Sequence, residues 1–258
     1  MKYGCALWDI RKSKKSIEEM NKLKPNIIKR VLQLPMSTPS DAVQYEFGVN
    51  DLSFDVMVEK IILAVETLNN DDERVAKKLL QSLMEKQVDG FSTELIDVCE
   101  VLNVSFNKML EETDVRKKLK SRIIKVQEQE LYKRMLSSSK MDGVLLNGFC
   151  YDGKVKNYLL ELDFIEARAV FMMRYRMIPT KANFPGRWCG TLCNVCNFED
   201  TDEHLFHCPG YQDLLHDGVY YKMFWDDKVL NDTVLIKKAA CSILGMIERL
   251  KEIQGLKE

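Results

Sequence analysis

NDTVLIKKAACSILGMIERLKEIQ, residues 231–254, sets the class of fold. Leu235, Ala239, Ile243, Ile247 and Leu250 recur at the spacing of one helical face, with charged residues between them. The same period runs upstream. DFIEARAVFMMRYRM (163–177) reads as a helix opened by Asp163 and Glu166 in capping positions and closed before Pro179. TDVRKKLKSRIIKVQEQELYKRML (113–136) is long and highly charged, with Val115, Leu119, Ile123, Val126 and Leu131 as its apolar seam.

Earlier still, SFDVMVEKIILAVETLNN (53–70) predicts a buried helix with Val56, Ile61, Val65 and Leu68 on one stripe. DDERVAKKLLQSLMEKQ (71–87) predicts another, with acids in its first turn where the helix dipole favours them. Gly90 breaks the chain, and two shorter helical runs follow over 92–112. At the start, SIEEMNKLKPNIIKRVLQLP (16–35) carries a Ser16/Glu19 capping-box pattern and apolar positions Ile17, Met20, Leu23, Ile27, Val31 and Leu34. Pro25 is expected to kink or split this helix, and Pro35 to end it. TPSDAVQYEFGV (38–49) predicts a short helix entered at Pro39 and stopped at Gly48.

Strand signal is nearly absent. The expected fold is therefore mostly α: an irregular helical bundle with a small structural zinc-knuckle-like segment near the C-terminus and one tiny hairpin at its cysteines. Residues 137–154, SSSKMDGVLLNGFCYDGK, hold three serines and three glycines and read as a loop boundary. The chain then divides into 1–50, a helical segment; 51–136, a helical linker; the loop 137–154; and 155–258, a basic helix, the knuckle and the C-terminal helix.

Composition narrows the function classes. The 258 residues are 46% hydrophobic and 30% charged with a net charge of -1, so global charge names no partner. No stretch approaches the ~18 apolar residues of a membrane span, and the N-terminus lacks the form of a signal peptide. An intracellular protein with reduced thiols, cytoplasmic or nuclear, is expected.

Eight cysteines are present. Cys5, Cys99, Cys150 and Cys241 are scattered among apolar neighbours, as small core residues are. Cys189, Cys193, Cys196 and Cys208 cluster with His204 and His207, and His216 follows as a surface residue. In LCNVCNFEDTDEHLFHCPGY (192–211) the spacing is Cys193-x2-Cys196-x7-His204-x3-Cys208. A two-residue gap aims both sulfurs at one point, and His204 and Cys208 fall on one face of a short helix capped by Asp200 or Thr201. Three thiolates and an imidazole in four-coordinate geometry select structural zinc and leave no open position for a catalytic water. His207 competes with His204 for the ligand role. Cys189 competes more weakly, and either can instead support the ligands from behind.

Upstream lies RAVFMMRYRMIPTKANFPGRW (168–188), with Arg168, Arg174, Arg176, Lys181 and Arg187 and no acid between Glu166 and Glu199. Tyr175, Phe184 and Trp188 are interleaved. Cations contact phosphates and aromatic faces stack on unpaired bases, so RNA or DNA is the expected partner. The bland alternative is a solvated basic face beside core aromatics. Arg11, Lys12, Lys14, Lys15, Lys22, Lys24, Lys29 and Arg30 form a second, weaker basic candidate. No nucleophile–base pair, paired carboxylates or glycine-rich phosphate loop stands out, which argues against an enzyme.

CNVCNFEDTDEHLFHCP (193–209), preceded by FMMRYRMIPTKANFPGR (171–187), resembles the zinc-binding segment that follows the polymerase domain in non-LTR (LINE-type) retrotransposon reverse transcriptases. MKYGCALWDI with KPNIIKRVLQLPMSTPSDAVQYEFGV is similar to the thumb of such enzymes, and residues 55–150 correspond to a helical linker. The resemblance implies the C-terminal part of a longer polyprotein, whose remainder is an expected partner, with Met1 an internal start or the mark of a truncated gene copy. It carries the ligand roles onto Cys193, Cys196, His204 and Cys208, although the His-to-Cys gap is one shorter than in some relatives. It also implies a role in holding template RNA or target DNA. The Tyr-x-Asp-Asp palm motif is absent, and FWDD at 224–227 is no substitute, so a non-catalytic portion is expected. A zinc-stabilised protein-interaction module that binds no nucleic acid is the alternative.

Overall fold

A computed structural model describes residues 9–86, 90–188 and 190–255. Among them are thirteen α-helices: α1 (Lys14–Val31), α2 (Ser40–Phe47), α3 (Leu52–Leu68), α4 (Val75–Glu85), α5 (Phe91–Val101), α6 (Phe106–Leu110), α7 (Val115–Met135), α8 (Asp142–Leu146), α9 (Tyr158–Glu161), α10 (Phe164–Arg174), α11 (Asp202–Leu205), α12 (Asp227–Leu230) and α13 (Thr233–Ile253). Among the described residues the extended pairing is a single antiparallel bridge between Leu192 and Glu199. The fold is mostly α, with the knuckle where the cysteines are. No helix among the described residues is long and apolar enough to cross a membrane.

The chain forms two compact units, each stitched from separated stretches: Met1–Ile27, Gly48–Leu131 and Tyr151–Gly153 in the first, and Ile28–Phe47, Tyr132–Cys150 and Lys154–Glu258 in the second.

The first unit is built around α3, whose Val56, Ile61 and Val65 are buried as their spacing predicts. Leu80 of α4, Leu95 and Val98 of α5, Met109 of α6, and Leu119 and Ile123 of α7 complete the core. Each such side chain contributes roughly 1.5–3 kcal/mol by leaving water. A buried ion pair crosses this core, Lys60 Nζ to Glu94 Oε2 at 2.6 Å, with the ammonium over the Phe91 ring. The α7 seam holds at Leu119, Ile123 and Leu131, and Gln127 shares the buried face by donating from Nε2 to the Val49 carbonyl at 2.9 Å.

Four expectations for these helices are corrected. The helix α1 begins at Lys14, so Ser16 lies inside it, and Asp9 Oδ1 accepts from the Lys12 amide before the helix starts. Pro25 does not split the helix, and it is itself buried. Burying Pro25 and Lys29 turns Leu23, Ile27 and Val31 outward, 50–64% exposed, although they matched the predicted seam. The acids Asp71, Asp72 and Glu73 precede α4 rather than fill its first turn. There Asp72 and Glu73 pair with Lys77 and Lys78.

In the second unit α10 packs along α13. Ala167, Val170, Phe171 and Met173 of the one and Ile236, Ala239, Ala240, Ile243 and Met246 of the other are buried. Asp163 Oδ1 accepts from the Glu166 amide at 2.9 Å and Glu166 Oε2 from the Asp163 amide at 3.2 Å, the predicted reciprocal cap. Asp232 caps α13 by accepting from Val234 and Leu235. Gly48 (φ 57°) ends α2 in the left-handed region that glycine adopts without strain.

The serine- and glycine-rich stretch 137–154 is more ordered than its composition suggests. It holds a 3-10 turn, Ser139–Met141, and then α8, with Met141 and Val144 buried. Gly143 is there because Trp225 lies against it: a Cβ would meet the indole nitrogen at 2.1 Å. That nitrogen donates to the Arg174 carbonyl at 2.9 Å.

Candidate metal centre

Local backbone bonds shape the knuckle before any side chain joins it. The Cys193 amide donates to Phe198 O (2.7 Å), the Asn197 amide to Cys193 O (3.1 Å), and the Asp200 amide to Thr191 O (2.9 Å). Asn197 takes φ 63°, a left-handed turn that asparagine tolerates. Thr201, one of the two expected caps, accepts from the His204 amide through Oγ1 at 3.1 Å and starts α11. The Cys208 amide then donates to His204 O, which places residue 208 one turn beyond 204.

The result brings one donor atom from each of Cys193, Cys196, His204 and Cys208 within 4.8 Å of every other. The sulfur separations are 3.9 Å for Cys193–Cys208 and 3.7 Å for Cys196–Cys208, and His204 Nε2 lies 3.1 Å from the Cys196 sulfur. A tetrahedral ion with zinc–sulfur bonds of about 2.3 Å requires sulfurs roughly 3.8 Å apart. The four residues therefore suit a metal ion and are compatible with zinc. His207 is not in this group, and its side chain is exposed. Cys189 lies outside the described residues. His216 is exposed, as expected.

Burial pushes the Cys208 thiol up to about 12, and burial holds His204 below its usual range. The Cys196 thiol is lowered, chiefly by the Phe198 backbone bond and against some desolvation. A cation held at the centre would favour the Cys208 thiolate.

Of the residues that brace the centre, Lys181 was expected on a nucleic-acid surface, and Asn183 and Arg249 carried no expectation. Lys181 is buried, and its ammonium donates to Leu192 O at 2.6 Å and Asn194 Oδ1 at 2.7 Å while its amide donates to Asp200 Oδ2. Asn183 Nδ2 bridges Ile178 O and Asp202 Oδ1. Burial raises the Asp202 carboxyl to about 7, with the Asn183 bond opposing. Arg249 of α13 donates to Gly210 O and pairs with Asp213. Nothing in the local spacing marks Lys181, Asn183 and Arg249, because they come from outside residues 192–211.

The basic stretch divides. Arg174 is 1% exposed, with Nε on Glu46 Oε1 at 2.9 Å and Nη1 on Phe224 O. Tyr175 is fully buried and donates to the same Glu46 oxygen at 2.5 Å. With Lys181 they are internal ties, a correction to their expected place on a nucleic-acid surface. Arg168 and Arg176 are half-buried. Arg187 is exposed, 5.3 Å over the half-buried Trp188 ring. In the N-terminal run, Lys29 is also buried, on Met36 O and Ser40 Oγ, and Arg11 pairs with Asp97. The sequence reading passed over Phe198, which is 72% exposed on the cysteine turn, beside Leu192 at 52% and Val195 at 45%. Its sole signal was its place just beyond the Cys-x2-Cys gap.

No protein-family model, no curated protein and no solved structure matches this chain.

Proposed function

We propose that this chain is a zinc-stabilised, non-catalytic nucleic-acid-binding module, the C-terminal portion of a LINE-type reverse transcriptase that holds template RNA or target DNA. The observation that carries it is the four-donor cluster of Cys193, Cys196, His204 and Cys208, with Phe198 72% exposed on the turn it pins. Zinc held by four protein ligands is closed to substrate, so its part is to fix a loop with little core of its own. The fixed loop presents an aromatic face in Phe198, on which an unpaired base can stack. Arg187, laid over Trp188, supplies a cation for the backbone. The thiol ligands suit a reducing, intracellular compartment.

The test combines metal analysis with binding of labelled single-stranded RNA. One zinc per chain, and binding that falls steeply with salt and is lost in Phe198→Ala/Arg187→Ala, are expected. No bound metal, or RNA binding indifferent to those substitutions, overturns the reading. A protein-interaction module is the second reading, favoured by the apolar trio Leu192, Val195 and Phe198. It predicts salt-tolerant partner capture without any RNA binding.

A further inference from the structure

The first unit carries a cation-rich cleft far from the cysteines in sequence. Lys108 of α6 and Lys118, Arg122 and Lys125 of α7 line an open cleft of about 550 Å³, together with Ser105 and Ser121. No carboxylate is among its lining residues. Lys118, Arg122 and Lys125 sit at i, i+4 and i+7, so they share one face of α7. At about 1.5 Å rise per residue they span roughly 10 Å, longer than one phosphate group.

Two of these cations are not neutralised in place. Lys108 and Lys125 are exposed and have no ion-pair or hydrogen-bond partner among the described residues. Lys118 bonds Glu112, the one carboxylate among the described residues that pairs with this group. Arg122 is half-buried and fixed by its Nε bond to the Leu102 carbonyl at 2.6 Å. A solvated helical face ordinarily interleaves both signs. From Val115 to Val126 α7 instead has only cations among its charged residues.

We propose that this α6–α7 cleft is a phosphate-binding site that takes the backbone of a single-stranded nucleic acid, separate from the knuckle. The ligand class rests on the nucleic-acid reading above. The anion chemistry rests on the cleft alone. A positioned guanidinium beside flexible ammonium groups and hydroxyl donors suits phosphate oxygens. The span along α7 calls for successive phosphates rather than one.

The experiment uses the full, metal-loaded chain and a fluorescently labelled single-stranded uridine 20-mer, titrated at several salt concentrations. Lys108→Gln/Lys125→Gln removes two exposed charges without touching the core. Affinity is expected to fall about 10-fold near 0.1 M salt, and the slope of log K against log salt to shrink by about 1.4, two phosphates' worth. Lys237→Gln/Lys238→Gln, exposed on α13, changes net charge equally and is the control, with the slope expected to stay as in the parent. An unchanged slope in the first variant, or an equal loss in the control, overturns the proposal. Loss in Phe198→Ala/Arg187→Ala but not in the cleft variant removes the cleft and keeps the knuckle. The reverse removes the knuckle and keeps the cleft. No binding of the 20-mer at low salt overturns both.

Discussion

Arg174 and Glu46 stand 128 positions apart in the chain and meet at 2.9 Å with 1% and 0% of their side chains exposed. Burial opposes the Arg174 charge, but Glu46, with Tyr175, Tyr158 and Asp227, more than reverses this and raises its pKa. Removing one partner of such a pair leaves a buried charge alone. Arg174→Met is therefore expected to lose about 3–5 kcal/mol of stability in urea unfolding, and Arg174→Met/Glu46→Leu to recover a large part. Equal losses in the single and double variants would refute the coupling.

Chelation should unfold the knuckle and spare the helices. With zinc removed, amide exchange is expected to accelerate over 191–208, while far-UV circular dichroism changes little. His204→Ala should abolish stoichiometric metal and His207→Ala should not, since only His204 joins the donor group. Retention of metal by His204→Ala, read by mass spectrometry under native conditions, would reject the ligand set.

Lys181 braces the cysteine loop through Leu192 O and Asn194 Oδ1. Lys181→Met leaves both acceptors without their donor and should weaken zinc affinity about 10-fold, within the range for groups that orient ligands. Competition with a chromophoric chelator measures it. An unaltered affinity would mean that the backbone bonds suffice.

Gly143→Ala places a methyl group where the Trp225 indole lies, 2.1 Å from its nitrogen. A stability loss of about 1–3 kcal/mol and a shift in tryptophan emission are expected. Neutral behaviour in both would show that the indole moves aside freely.

Burial pushes the Cys99 thiol up to about 11 from an ordinary 9.0. A raised folded-state value contributes stability that is complete below pH 9 and lost as pH climbs toward 11, because the unfolded chain ionises first. Unfolding titrations should show this decline, and Cys99→Val should flatten it. An equally steep decline in Cys99→Val would assign the effect to other groups.

Much of the site was legible because its information is local. The two-residue cysteine gap, Thr201 and the His204–Cys208 step all act within one short segment, where spacing and capping rules operate directly. The Asp163/Glu166 cap and the α13 face were legible for the same reason. Arg174 was not, since its fate depends on Glu46, and a basic run reads alike whether it is solvated or buried. The α1 face failed differently: Leu23, Ile27 and Val31 obey the helical period, yet tertiary packing buried Pro25 and Lys29 instead.

The interleaving of the two units has a consequence for the order in which they can form on the ribosome. Residues 28–47 belong with 154–258, yet most of the first unit, Gly48–Leu131, is made between them. At about 5–20 residues per second, Glu46 waits on the order of 10 s for Arg174 to be translated. Until then its carboxylate lacks its guanidinium partner, so the buried pair of the second unit can close only late in synthesis.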